Sequence, residues 1–359
     1  MTTVLAFIIV LSVLIFFHEL GHFLFARLFD VGVEKFSLGF GPRIFGKTVG
    51  ITDYRISAIP LGGYVKMVGE EPDAEIPPED IPISFTHKHV FKRILIVAAG
   101  PAFNFLLAVL IFFAIFAISG TSDRNYSVEP LIGEVNKDAP AEKAGLKKGD
   151  MVLAIDGTTL KTWEEMAGLI TKSKGTPLSV TVRRETSEFT LTITPELQKI
   201  KDEMLGEETE RYVIGVIRSY QEIKKDMTVI EAAKESLVWT YKVSELMVVI
   251  VAKMIQGDIP TKTIGGPIFI AQLAGERAAD GAGSLMFFIA VLSVNLAVLN
   301  FLPIPVLDGG HLMFFFIEAV MRRPLNTKMR EIAQQMGIFV LILLMIFVFY
   351  NDISRVFFS

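Results

Sequence analysis

VLAFIIVLSVLIFF, residues 4–17, runs without a charged side chain into His18-Glu19-Leu20-Gly21-His22. The run reads as the start of a membrane-spanning helix, and the pentapeptide puts two imidazoles and a carboxylate inside it. On a helix, residues i and i+4 differ by about 40° in azimuth, so two His at that spacing can share one metal ion. The Glu between them lies close enough to polarise a bound water. Ionisable side chains at membrane depth are costly, which makes a functional site the default reading. Metal-assisted hydrolysis within the bilayer is the chemistry these residues imply.

The rest of the composition fits a membrane setting. Hydrophobic residues form 51% of the chain and charged ones 21%, with a mean hydropathy of +0.49, as expected where apolar spans alternate with a soluble part. A net charge of -4 argues against nucleic acid as a partner. The chain contains no Cys, which excludes disulfides and thiolate metal sites and leaves His, Asp and Glu as ligands.

The predicted fold is an α-helical polytopic membrane protein with about four transmembrane helices, a small membrane-associated β-hairpin and one β-rich extracytoplasmic domain. The spans fall at 1–30, 94–119, 285–320 and 336–352. The last has a short apolar core and must borrow length from its flanks. The first is too long for a cleaved secretory signal, lacks a basic start and is expected to stay in the mature protein. Lys88, Lys92, Arg93, Arg322, Arg323, Lys328 and Arg330 flank the spans on one side. The positive-inside rule makes that side cytoplasmic, so the loop 31–93 faces the cytoplasm, and both termini and the segment between spans two and three lie outside. In a bacterial cell this means the inner membrane, with the large segment periplasmic. Within 226–256, Lys242, Glu245 and Lys253 share one helical face and Val243, Leu246, Met247, Ile250 and Met254 another, the pattern of an amphipathic helix at the interface. A connector, 257–284, leads to the third span.

A catalytic zinc takes three protein ligands and keeps a position open, so a further acid is expected at matching depth. Asn300-Phe301-Leu302-Pro303-Ile304-Pro305-Val306-Leu307-Asp308-Gly309-Gly310 supplies a candidate. Pro303 and Pro305 cannot continue a helix, and broken backbone at this depth is tolerated only where it is buried or lines a polar cavity. At about 1.5 Å per residue, His18 and Asn300 each lie about 22 Å from the outer end of their spans, in one layer. Asp308 could instead cap the helical run from Leu312, and His311 is a rival ligand. His87 and His89 sit in a basic loop and read as solvated.

HELGH in the first span together with NFLPIPVLDGG in the third resembles the site-2 protease family of intramembrane zinc metalloproteases, in its RseP-like bacterial branch. Gly39-Phe40-Gly41, the stretch Ile59-Pro60-Leu61-Gly62-Gly63-Tyr64-Val65-Lys66-Met67 and Ala99-Gly100-Pro101-Ala102-Phe103-Asn104-Phe105 strengthen the likeness. The resemblance implies zinc on His18, His22 and Asp308, Glu19 as catalytic acid/base, and Asn300 near the substrate. Asn104, beside Pro101 in span two, is a second candidate for substrate contact, with an interhelical hydrogen bond as the alternative. The implied substrate is a transmembrane helix of a single-pass protein, such as an anti-sigma factor or a signal-peptide remnant, cut in regulated intramembrane proteolysis after another protease has shortened it. In the family a membrane-associated sheet, here between residues 33 and 67, pairs with the unwound substrate.

Between 127 and 220 the chain reads as short strands at 131–135, 151–155 and 178–182 with turn chemistry between them. Ala144-Gly145-Leu146-Lys147-Lys148-Gly149-Asp150 followed by Asp156-Gly157 resembles a PDZ domain, which implies a groove for an extended peptide or a C-terminus beside the helix at 162–172. RseP-like proteins often carry two such domains, and the length here allows one. Two other functions compete: a membrane zinc protease whose third ligand is a Glu on a later helix, and a non-enzymatic PDZ-bearing membrane adaptor without metal.

Overall fold

The structure is a computed structural model and describes residues 2–71, 75–201, 208–258, 265–323 and 326–358. The chain divides into two units, one formed by Met1–Ser119 with Met227–Ser359 and the other by Gly120–Asp226.

The first unit is built on helices. Among the described residues four are long and apolar enough to cross a membrane. These are α1 (Thr2–Leu28), α2 (Val90–Ser119), α7 (Ala282–Phe301) and α9 (Thr327–Phe358), with α5 (Val229–Gln256), α6 (Pro267–Ala279) and α8 (Asp308–Met321) between them. The α1, α2 and α7 helices meet around Val10, Leu14, Ala108, Phe112, Ala290 and Val294. Small residues set how closely they approach: a Cβ added to Gly21 of α1 would lie 2.3 Å from the Ala99 carbonyl oxygen of α2. The expected weak last span gains its length from flanking turns, since α9 runs for 32 residues.

The helix expected at 226–256 is α5, in which Trp239, Val243 and Met247 pack into the bundle core and Leu246 is 54% exposed. A capping box of Thr228 and Glu231 starts it, and Gly257, with φ +83°, ends it. The connector holds the helix α6, which packs against α1, while residues 259–264 of that connector lie outside the described residues. The buried Asp352 of α9 caps α6 from 84 residues away, its carboxylate accepting from the backbone N–H groups of Gly266, Ile268 and Phe269 at 2.8, 2.9 and 3.2 Å.

The predicted hairpin is present as β1 (Val33–Val49) and β2 (Thr52–Met67), joined through Gly50 at φ +62°. Its register doubles back. Leu38 is partnered by Gly63 on one side and by Ile56 on the other, so two long strands make four short segments, with 63–67 at one rim. That rim runs against α1, where a Cβ on Gly63 would come within 3.1 Å of Glu19 Cγ.

The second unit is wider than the 127–220 expected. Its first and last strands, β3 (Thr121–Tyr126) and β12 (Tyr220–Lys225), pair with each other from Thr121↔Lys225 to Tyr220↔Tyr126, so the chain enters and leaves through one two-stranded ribbon. Inside lie β4 (Ile132–Val135), α3 (Pro140–Lys143), β5 (Met151–Ile155), β6 (Thr158–Thr159), α4 (Trp163–Lys172), β7 (Leu178–Arg184), β8 (Ser187–Ile193), β9 (Glu196–Lys201), β10 (Glu208–Val213) and β11 (Val216–Arg218). The central sheet has the order β6-β5-β7-β8, β4 pairs with β11, and β9 with β10. Alternation drives this packing: Leu178, Val180 and Val182 face inward from β7 onto Met166 and Ile170 of α4. A capping box of Thr162 and Glu165 fixes the start of α4, worth about 1 kcal/mol. A cavity of about 320 Å³ lies between α4 and residues 211–216.

Candidate metal centre

His18 and His22 stand one turn apart on α1, and Asp308 is the first residue of α8, reached after Pro303 and Pro305 stop α7. The loop back is tight: a Cβ on Gly309 would lie 2.1 Å from the Leu302 carbonyl oxygen, and one on Gly310 2.3 Å from that of Ile304. Glycine at both positions is what lets the chain fold onto itself and turn Asp308 toward α1. Leu307, not Asp308, occupies the N-cap of α8, so its carboxylate is free for other work.

The three donor atoms form a nearly equilateral triangle. His18 Nε2 lies 3.2 Å from Asp308 Oδ2, His22 Nε2 3.5 Å from it, and the two imidazole nitrogens 3.3 Å apart. Asp308 Oδ2 is buried and accepts no hydrogen bond. His22 donates from Nδ1 to the Ile96 carbonyl of α2 at 2.9 Å, which leaves Nε2 as a lone pair. Lone pairs crowded together in this way repel one another unless a cation lies among them. Tetrahedral zinc with bonds of about 2.0–2.1 Å holds its ligands about 3.3 Å apart. The spacing and the donor set both fit that ion.

Around the triangle, Glu19 is 8% exposed and lies against the 63–67 rim of β2. It lines a cavity of about 220 Å³ together with Tyr64, Val65, Glu70, His311 and Arg330. Glu70 is held there by the Met67 N–H at 3.1 Å. His311 lines the cavity but stands outside the cluster that among the described residues could hold a metal ion. Asn104, fully buried on α2, turns its amide to His18 Nδ1 at 3.1 Å, and its backbone oxygen accepts from Ser293 of α7 at 2.8 Å. Asn300 is buried on α7 and is not among the described residues lining the cavity.

The sequence marked Gly100 only as part of the family likeness, with no role beside the imidazoles, and offered no sign of the Ile96 carbonyl. A Cβ on Gly100 would fall 2.3 Å from His22 Nε2, so this glycine leaves the room the ring occupies. The available signal was Gly100 beside Pro101 in an otherwise bulky apolar span.

A family model described as peptidase family M50 matches residues 6–344. Zinc metalloprotease RasP of Geobacillus kaustophilus is 31% identical, the match covering 99% of this chain and 98% of that protein. Relatives from Mesorhizobium japonicum and Campylobacter jejuni, also bearing zinc-metalloprotease names, are 36% and 35% identical, over 98% of this chain each and 98% and 93% of theirs. A solved PDZ domain of an SdrC-like protein from Listeria monocytogenes matches 24% of this chain and 84% of its own at 21% identity, with a TM-score of 0.20.

Proposed function

The chain belongs to peptidase family M50 and is a zinc metalloprotease of a multi-pass membrane protein type, and from that premise we propose that His18, His22 and Asp308 hold the zinc and that Glu19 is the catalytic acid/base. The observation that carries this assignment is the triangle of 3.2, 3.3 and 3.5 Å beside a carboxylate in the same cavity. A zinc ion held there supplies a Lewis acid for the scissile carbonyl and lowers the pKa of a water.

The remaining steps fall to the protein. Glu19 takes the proton of the attacking water and passes it to the leaving amine nitrogen, and the walls of the cavity keep other water away. Asn104 and the Ile96 carbonyl hold the two rings. A half-turn of the Asn104 amide presents Oδ1 to the Nδ1–H that an imidazole with a free Nε2 carries, so Asn104 acts as a positioning residue for His18 rather than as a substrate contact. Asn300 meets substrate backbone only after a substrate has entered.

The substrate is a transmembrane helix of a single-pass protein, unwound where it is cut, shortened beforehand by another protease and processed as part of regulated proteolysis. The 63–67 rim of the hairpin supports this reading, because extended backbone needs a strand edge and this one borders Glu19. The second unit reads as a PDZ-like domain, and the cavity beside α4 takes a peptide C-terminus. The basic flanks support an inner-membrane location with both termini and this domain outside.

Glu19→Gln tests the assignment. Stoichiometric zinc with cleavage of a transmembrane reporter abolished is the expected result, and undiminished cleavage contradicts it. A third ligand other than Asp308 predicts that Asp308→Ala keeps its zinc, whereas the triangle predicts loss.

A further inference from the structure

The end of α8 and the start of α2 enclose a second cavity, of about 750 Å³, that takes no part in the chemistry above. Lys88, Arg322 and Arg323 line it, with His87 and His89 beside them. The one acid in its wall, Glu318, is already committed to Arg93 through an ion pair, so the two cancel. Among the described residues Arg322 and Arg323 have no carboxylate partner, and Lys88 Nζ donates only to the Pro82 carbonyl at 2.8 Å. Three uncompensated cations therefore face one space.

Two further features give that space a chemical character. Val90 and Phe91, the first turn of the 30-residue α2, form part of the wall, so the positive end of a long helix dipole lies beside it. One wall residue is a large apolar side chain left open, since Phe91 is 63% exposed. A small inorganic anion would use the cations and leave Phe91 bare. An anionic head carried on apolar chains uses both.

We propose that this cleft is a binding site for the phosphate-bearing headgroup of an anionic phospholipid, with Lys88, Arg322 and Arg323 on the phosphate and Phe91 against the acyl chains. The charges that would orient the spans are thereby also a lipid site. The competing reading is that they act through net charge alone, and then their exact positions would not matter.

The test uses the full chain in detergent, with lipid retention by native mass spectrometry and melting temperature as readouts. The probes are phosphatidylglycerol, phosphatidylcholine and inorganic phosphate. The expected result is at least tenfold tighter retention of phosphatidylglycerol than of phosphatidylcholine. That preference should disappear in the double variant Arg322→Gln/Arg323→Gln and persist in Lys328→Gln, which removes a charge from the same layer but not from the cleft. The lipid-free melting temperature of the double variant should match the parent, since both side chains are exposed and unpaired. Equal loss in both variants, or no preference in the parent, overturns the proposal. Saturation by inorganic phosphate at the same concentration as the lipid overturns the lipid assignment as well, by reducing the cleft to a site for any anion.

Discussion

Gly100→Ala adds one methyl group where α2 passes the imidazoles of α1. The added Cβ would stand 2.3 Å from His22 Nε2, 2.5 Å from Cε1 and 3.0 Å from His18 Cε1, whereas ordinary contact begins at 3.4 Å. The His22 ring must therefore give way by about 1 Å (3.4 less 2.3) or α1 must move off α2. Either displacement breaks the 3.3 and 3.5 Å edges that share His22 Nε2. Misplacement of about 1 Å is enough to cost on the order of 100-fold in a preorganised site. The substitution is otherwise mild, because Ala is the better helix former by about 1 kcal/mol. The expected outcome is a zinc affinity lowered about 10- to 100-fold, measured by competition with a chromophoric chelator. Parental zinc affinity in the variant would refute the argument that this glycine is kept for the geometry of the ligands.

Asn104→Ala removes the group that faces His18 Nδ1, and zinc affinity should drop about 10- to 100-fold with His18, His22 and Asp308 intact, as read by the same chelator competition. Asp352→Ala leaves three N–H groups of α6 without their acceptor at a buried site, so hydrogen exchange over 266–279 should accelerate by an amount matching about 2 kcal/mol. In the second unit, burial pushes the Asp150 carboxyl up, but paired bonds from Arg184 at 2.7 Å and the Lys147 N–H at 2.8 Å outweigh it and hold it below its ordinary range. The folded unit then binds this proton more weakly than the unfolded chain. Its stabilising share is complete above about pH 4 and is lost as the pH falls through the lowered folded value. Asp150→Asn should cost about 2 kcal/mol at neutral pH and flatten the acid limb, followed through Trp163 fluorescence in urea. An unaltered acid limb would mean that the pair does not set it.

What could be read from the chain was whatever lies within one segment. HELGH carries its own helical geometry, NFLPIPVLDGG its own helix break, and the four spans their hydropathy, so the bundle, the family likeness and the convergence of His18, His22 and Asp308 were all expected. What could not be read depends on which face meets which. Gly100 and the Ile96 carbonyl matter only because α2 crosses α1 at Gly21, and no local pattern fixes that crossing. The α6 helix is weakly apolar and takes its cap from Asp352, far along the sequence. The inner face of α5 includes Ala232, Ser236 and Thr240, a small polar stripe that a search for apolar spacing passes over. The outer ribbon of the insert was missed because Thr121–Tyr126 and Tyr220–Lys225 lack apolar alternation and are recognised as strands only through each other.

That ribbon has an architectural consequence. Thr121 and Lys225 are direct partners, and paired backbones run about 5 Å apart. The bundle is thus interrupted at a single point, across a gap that one tight turn would bridge. An element attached by so narrow a doorway can be enlarged, exchanged or excised over evolutionary time without rerouting any helix. The catalytic framework and its appendage are consequently free to diverge at separate rates.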